Sequence, residues 1–270
     1  MNAQWLYGSS GVGVQQSSCN ASGVASTAMG NSTTASGTFS TAMGNGPIAS
    51  GYASTAMGVG TTTASGTSST AMGDNTKATD YASLTVGRYN SVNRIMTSGG
   101  DSTAFDTDNA AFVIGNGTAS NAVSDAFVVR FNGNATLSGN LTINSDERLK
   151  DNIQPLGSTL NKLHQIEAKT YSLKKDEEHT PKIGVLAQEV QAVFPELVTE
   201  GADGILSVNY QGLVPVLINA INEQQLKMSE QDAKIAALEA QNAEIKELKE
   251  MVRVLALQQS QTTSFLQAGL

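Results

Sequence analysis

Between residues 20 and 90 the chain places one large apolar residue every fourteen or fifteen positions, among small polar residues and glycine. Met29, Met43, Met57 and Met72 each stand in the string Ser-Thr-Ala-Met-Gly, and Val86 in its degenerate copy Ser83-Leu84-Thr85-Val86-Gly87. Ala-Ser-Gly recurs in phase at 21–23, 35–37, 49–51 and 64–66, with Ala78-Thr79-Asp80 as a degenerate fifth copy. Both series step by 14, 14 and 15 residues, and the extra residue is expected within Gly66-Thr67-Ser68. A disordered Ser/Gly linker has a similar composition. A strict period, one apolar residue per copy and a glycine that permits a tight turn instead predict stacked coils. One coil buries too little to stand alone, so coils must stack and chains associate. The in-phase Met side chains are expected to be core packing rather than cofactor ligands.

From 91 to 144 the period loosens. Ala111–Gly115 and Ala126–Arg130 are β-prone apolar runs separated by turn formers, and Leu137, Leu141 and Ile143 alternate with polar residues. A β-rich neck is expected there. Beyond it the pattern becomes that of an ordinary α+β domain. Leu160, Leu163 and Ile166 predict one helix face, Ala168–Leu173 a strand, and Lys174–His179 a charged loop. Ile183–Leu186 predicts a strand leading to a helix over Gln188–Phe194 that stops before Pro195, and Ile205–Val208 another strand. From Leu213 to about Gln259 a helix is expected. Leu217, Ile221, Met228, Ile235, Leu238 and Ile245 fit heptad a and d sites, with Gln224, Gln231 and Asn242 at others. Leu248, Val252 and Leu255 leave that register, which predicts a stammer or a fold-back. A helical assembly of three chains is expected, the alternative being a helix packed within its own chain.

Charge sharpens the division at residue 144. The first part has six Asp against four basic residues (Lys77, Arg88, Arg94, Arg130), −2; the remainder has 18 acidic and 12 basic residues, −6. No basic patch offers a surface to phosphate backbones, so nucleic acid is not expected as a partner. No stretch reaches the roughly 18 apolar residues of a membrane span, so no membrane insertion is expected. The start MNAQWLYGSSGVGV has neither a basic opening nor an apolar run of secretory length, so synthesis in a cytoplasm is expected. Cys19 is the only cysteine and is expected to be a free thiol, an interchain bridge being the alternative. His164 and His179 are fifteen residues apart and lack metal-ligand spacing. They are expected on the surface, and Glu177 and Glu178 in a solvated loop. No metal or cofactor is expected.

The repeats resemble the head repeats of trimeric autotransporter adhesins (the YadA-like head). That resemblance covers roughly residues 20–90 and implies a homotrimer of left-handed parallel β-rolls without a catalytic pocket.

At the junction of the two parts stands Asn144-Ser145-Asp146-Glu147-Arg148-Leu149-Lys150. A serine five residues ahead of a lysine at such a seam suggests a chain that cuts itself. A serine hydroxyl needs an adjacent base to act as a nucleophile, and lysine serves only if burial or nearby cations draw its pKa down. The spacing suits a tight turn or a helix start, with Ser145 as N-cap and Asp146 and Glu147 in the first turn. The plainer reading is that SDE merely opens a helix and leaves Lys150 solvated.

Three blocks resemble the C-terminal intramolecular chaperone, auto-processing domain of phage tailspikes and tail fibres, of which endosialidases are members. They are Ser145–Ile153; Lys182–Val190 continuing to Phe194–Val198; and Ser207–Leu217. The resemblance implies that the domain trimerises and folds three chains, then releases itself. By motif position it implies Ser145 as nucleophile and Lys150 as base, with Glu147, Arg148 and Asp151 as supporting residues. Attack on the Asn144 carbonyl passes through a five-membered ring, and attack on Ser145's own carbonyl through a strained four-membered one unless a neighbouring chain's serine acts or water attacks directly. The family's usual cut on the C-terminal side of the serine leaves the bond placed within Asn144–Asp146.

The expected architecture is therefore homotrimeric. An N-terminal segment (1–19), an all-β roll (20–90) and a neck (91–144) precede an α+β chaperone domain (145–225) and a coiled-coil tail (226–270). A fibre on a phage tail or an extracellular injection particle is the leading function. A receptor-binding tip, its roll touching host glycan or protein, is the rival. A glycan-degrading spike is disfavoured, because the N-terminal part is short and poor in Glu, Arg and His.

Overall fold

The computed structural model describes residues 5–7, 14–16, 18–91, 101–174, 176 and 179–268, with 5–7, 14–16 and 258–268 by backbone alone. The chain divides into two compact units, Met1–Ser145 and Asp146–Leu270.

In the first unit each repeat forms one coil of two strands. The long strands Thr27–Asn31, Thr41–Asn45, Thr55–Val59, Thr70–Asp74 and Leu84–Arg88 stack parallel and in register. Met29 therefore lies beside Met43, Met43 beside Met57, Met57 beside Met72, and Met72 beside Val86. The short strands Asn20–Ala21, Thr34–Ala35, Ile48–Ala49, Thr63–Ala64 and Lys77–Ala78 form a second sheet. Two strands ahead of the repeats, Trp5–Tyr7 and Val14–Gln16, pair as a hairpin. The second of them joins Thr27–Asn31 in parallel, so the sheet begins before residue 20.

Two expectations change here. The extra residue of the fifteen-residue step falls in 60–62, not in 66–68. Val59 pairs with Asn45, fourteen positions back, but Thr63 pairs with Ile48, fifteen back. The 66–68 corner keeps the turn of every other coil, with the Ser69 N–H donating to the Gly66 carbonyl as Ser54 does to Gly51. The exposed Gly60-Thr61 corner takes the insertion instead.

The methionines, moreover, are not the core of the roll. Successive strand residues face opposite ways, so Thr-Ala-Met turns its Ala inward. Ala28, Ala42, Ala56 and Ala71 have no solvent exposure, nor have Ala21, Ala35, Ala49 and Ala64 of the other sheet. Met29, Met43 and Met57 are half-buried on the outer face, and Met72 is exposed. The coil is too thin for more than a Cβ between its sheets.

At the corner just ahead of each long strand one residue is left-handed: Ala25, Phe39, Ala53, Ser68 and Ala82, with φ between 52° and 60°. The glycine after each methionine serves a different need. A Cβ on Gly44 would strike the carbonyl oxygen of Gly58 in the next coil. The buried Cys19 thiol donates to the Gly30 carbonyl (3.2 Å).

The neck continues the main sheet. Ala110–Asn116 lies parallel to Leu84–Arg88, then Asp125–Arg130 and Ala135–Leu137 add antiparallel. The alternation expected through Ile143 ends at Leu137. Gly139 and Asn140 break it, and Leu141 and Ile143 are exposed and outside any strand.

In the second unit Lys169–Tyr171 pairs with Lys182–Gly184, and Val198–Glu200 with Leu206–Val208, both antiparallel. Leu160–Leu163 is a single helical turn, and Ala187–Val193 a helix that ends where Pro195 opens a 3₁₀ turn. The core is small: Val190, Phe194 and Val216, with Leu163, Ile166, Val185 and Val208 against it.

Leu213–Ala268 is one helix of 56 residues. It does not fold back, and Val252, seven residues beyond Ile245, keeps the heptad that Leu248 and Leu255 leave. Its first turns pack on their own chain, Val216 and Ala220 being buried. From Gln224 to Leu257 every residue is exposed, Met228, Ile235, Leu238 and Ile245 among them. Packing within the chain thus describes only its beginning. Among the described residues no helix is long and apolar enough to cross a membrane. Glu177 and Glu178 lie outside the described residues.

Candidate self-processing seam

Asn144 and Ser145 close the first unit and Asp146 opens the second, so the division falls on the predicted cleavage interval. Residues 140–146 have no regular structure and are exposed throughout. The backbone there is uncovered, so its carbonyls are open to a nucleophile.

After Asp146 the chain makes one 3₁₀ turn, Glu147–Leu149, rather than an α-helix. Its N-cap is Asp146, not Ser145. The Asp146 carboxylate accepts the Arg148 N–H (2.9 Å) and is gripped by the guanidinium, Nε to Oδ1 at 2.9 Å and Nη2 to Oδ2 at 2.7 Å. A carboxylate placed one residue nearer the turn outcompetes a hydroxyl for the same donors. The Arg148 guanidinium, then its N–H, and more weakly the Lys150 charge hold the Asp146 carboxyl below its ordinary range; the same pair raises Arg148.

Lys150 is the C-cap, its N–H donating to the Glu147 carbonyl (3.0 Å). Asp151 accepts the N–H of Asn152 (2.8 Å), which is left-handed at φ 52°. Ser145, Glu147, Lys150 and Asp151 are all exposed in the single chain. The structure thus brings Asp146 and Arg148 together in the capped turn that opens the second unit.

Sequence reasoning missed a second cluster behind the seam. The Glu223 carboxylate accepts the N–H of Thr159 (2.6 Å), the hydroxyl of Ser158 (2.9 Å) and the Asn219 amide (2.9 Å). Asn219 also donates to the Gly157 carbonyl (2.6 Å). The Thr159 N–H first, then the Ser158 hydroxyl, the Leu160 N–H and the Thr159 hydroxyl, hold Glu223 below its ordinary carboxyl range against its partial desolvation. The available signal was two polar residues four apart on the helix face that carries Val216 and Ala220.

Lys169 bridges Glu167 (2.6 Å) and Glu189 (3.2 Å) nearby. Among the described residues no three His, Cys, Asp or Glu gather as metal ligands would. His164 and His179 are exposed.

Residues 145–199 match the family model described as chaperone of endosialidase, and residues 21–46 and 64–87 match the YadA head domain repeat. Over these residues the chain is similar to a chaperone-of-endosialidase domain preceded by YadA head repeats. It is similar to the long tail fiber protein Gp37 of Enterobacteria phage K3, 30% identical over 158 residues, which are 53% of this chain and 13% of that protein. Gp37 of Salmonella phage S16 is 28% identical over 172 residues, 60% of this chain and 20% of that protein. Gp37 of Escherichia phage AR1 is 39% identical over 89 residues, 30% and 8% respectively. The chain spans at most a fifth of the length of these relatives.

Proposed function

We propose that this chain is a segment of a homotrimeric phage tail fibre whose C-terminal unit trimerises and folds the roll, then frees it by self-cleavage at Ser145. One observation carries the reading: the family match begins at Ser145, where the compact units also divide. Ser145 is the nucleophile and Lys150 the base, a known variant of the serine triad. Attack on the Asn144 carbonyl exchanges the amide for an ester at the serine oxygen, and water then hydrolyses it. Net, one peptide bond and one water give a carboxylate and an amine, once per chain.

The exposed Lys150 supports a role for assembly. A lysine becomes a base when desolvated or set beside cations, and neighbouring chains are the partners that could bury it. The uncovered helix face supports the same trimer. Non-local strand pairing is slow and prone to aggregation, and a C-terminal unit that first gathers three chains would set their register while each roll forms. Cleavage afterwards leaves the fibre kinetically trapped. The mature product belongs on the virion tail.

The test is denaturing electrophoresis with intact mass. Wild type should give two fragments whose masses sum to the 28.0 kDa chain plus one water, and Ser145→Ala and Lys150→Ala should stay whole. Two fragments of unchanged size from Ser145→Ala would remove Ser145 from the chemistry.

A second reading, a tip that binds host glycan or receptor, has one observation in its favour. Phe39 and Tyr52 form an edge-to-face pair (5.5 Å) on the roll's corner, each more than half exposed. Reproducible hits on a glycan array, lost in Tyr52→Ala, would favour it.

A further inference from the structure

We propose that the outer face of the neck sheet is where three copies of this chain meet, and that the methionine row of the repeats carries the same contact along the roll. The proposal rests on the trimer reading above and gives that trimer a contact outside the C-terminal unit.

Strand register draws one apolar line across eight neighbouring strands of the main sheet. Met72 pairs with Val86, Val86 with Ile114, Ile114 with Phe127 and Phe127 with Leu137. The three earlier methionines extend the line back to Met29. The row beside it changes character on the way. Threonine holds it in the first four coils, and then Leu84, Phe112 and Val129 follow. Phe112 and Phe127 meet edge to face at 6.4 Å across the two rows. The opposite face of these neck strands is apolar as well, Ala110, Val113 and Val128 being buried there. Unbroken apolar runs such as Ala111–Ile114 and Ala126–Val129 mark strands covered on both faces. Yet Leu84 and Leu137 stand 37% and 43% exposed on the outer one.

What covers this face is another copy of the chain. Neither row carries a charged residue, so a chain of net charge −8 can lie against itself there without repulsion. Length decides the partner further. Eight strands about 4.8 Å apart make a line about 34 Å long and one or two side chains wide, roughly 350–500 Å². A stable interface takes roughly 800 Å² from each partner. The face therefore suffices only if it is used along its whole length and against two neighbours. That requires a partner with an apolar residue at every coil's rise, and the same line on another copy supplies it. Around a threefold axis parallel to the stack, each repeat coil adds one layer of three methionines, and Phe112 and Phe127 broaden the column at the neck. Removal of the C-terminal unit leaves this contact with the roll.

The experiment places one new cysteine at a time in the full-length chain, with wild type and its buried Cys19 as the blank. Val86→Cys lies in the apolar line, and Lys77→Cys lies exposed on the second sheet. Mild oxidation and non-reducing denaturing electrophoresis should turn about two thirds of the Val86→Cys chains into linked pairs, since three thiols around one axis leave one over. Lys77→Cys should stay as single chains. The link is read on whichever species carries the roll, cut or uncut, so it does not depend on cleavage. A second measurement decides the question if Val86→Cys does not assemble. Leu84→Thr restores the residue that the four earlier coils hold in that row, and Leu137→Thr blunts the end of the line. On dilution, followed by sedimentation, the double variant should come apart at a concentration on the order of 100-fold above wild type. Val86→Cys unlinked, or Lys77→Cys linked as readily, in chains that sediment as trimers overturns the proposal. So does a double variant that dissociates where wild type does. A wild-type chain that sediments as a monomer would sink the trimer reading itself, and this contact with it.

Discussion

In the roll, Ala42 sits between Ala28 and Ala56, all three without solvent exposure, and each coil hands its backbone bonds to the next. In the C-terminal unit, Ile235, Leu238 and Ile245 lie open along a helix that its own chain does not cover. The roll completes its backbone bonding and its Ala core within one chain, with side chains too small to store much burial. The C-terminal unit has the larger apolar side chains and leaves most of those on its long helix unused. A chain built this way is hard to start and hard to undo at one end, and eager for partners at the other. That division suits a folding device attached to what it folds.

The largest effect should come from the uncovered helix. Ile235→Asp is a surface change in a lone helix and should alter stability by no more than about 0.5 kcal/mol. If the same face is the core of a three-chain bundle, it buries three charges together, and sedimentation should show loss of the trimer. A variant that sediments like wild type would remove this face from the assembly.

Next in size is Gly44→Ala. Gly44 holds φ +124°, a region nearly closed to side chains, and its Cβ would meet the backbone of Gly58 rather than a movable group. We expect roughly 3 kcal/mol or more of destabilisation, read as a fall in the melting transition of the roll and not of the helix. A stable Gly44→Ala roll would mean that the coils can separate without unfolding.

The repeat period and its glycines announced stacked coils because both are backbone requirements, legible wherever one residue type alone fits. Which side faced inward was not legible in the same way. Methionine is the larger apolar residue, so sequence favours it for the core, but the inward position follows from the parity of Thr-Ala-Met and the thinness of the coil. At the seam, the motif located the turn, while the choice between Ser145 and Asp146 as its cap depended on competition for Arg148. The Glu223 cluster was hidden because its partners lie more than sixty residues apart. No local pattern encodes that contact.

The smallest expected effect lies where the roll meets the neck. Asp80 stands where Gly23, Gly37, Gly51 and Gly66 stand in the other coils, and only 5% of its surface is exposed. Its carboxylate accepts the Ala110 N–H (2.8 Å), which fastens the first neck strand to the last coil. Burial raises the Asp80 pKa, outweighing the Ala110 N–H, the Thr79 hydroxyl and the charge of Arg130, which all act the other way. A carboxyl raised on folding favours the native state fully below the unfolded value of about 3.9, and that contribution is lost as pH rises through the folded value. Asp146, Glu189 and Glu223 are shifted down and lose their contribution as pH falls, so the whole-protein profile mixes both signs. The difference between wild type and Asp80→Asn isolates one of them. The amide still accepts the Ala110 N–H but carries no charge, so the variant should melt slightly higher at neutral pH. That gap should close as pH drops below about 3.9, where the wild-type carboxyl is neutral as well. A gap that is constant across pH, or one that opens toward acid, would mean that the buried carboxylate is stabilised by its partners and not strained by its burial.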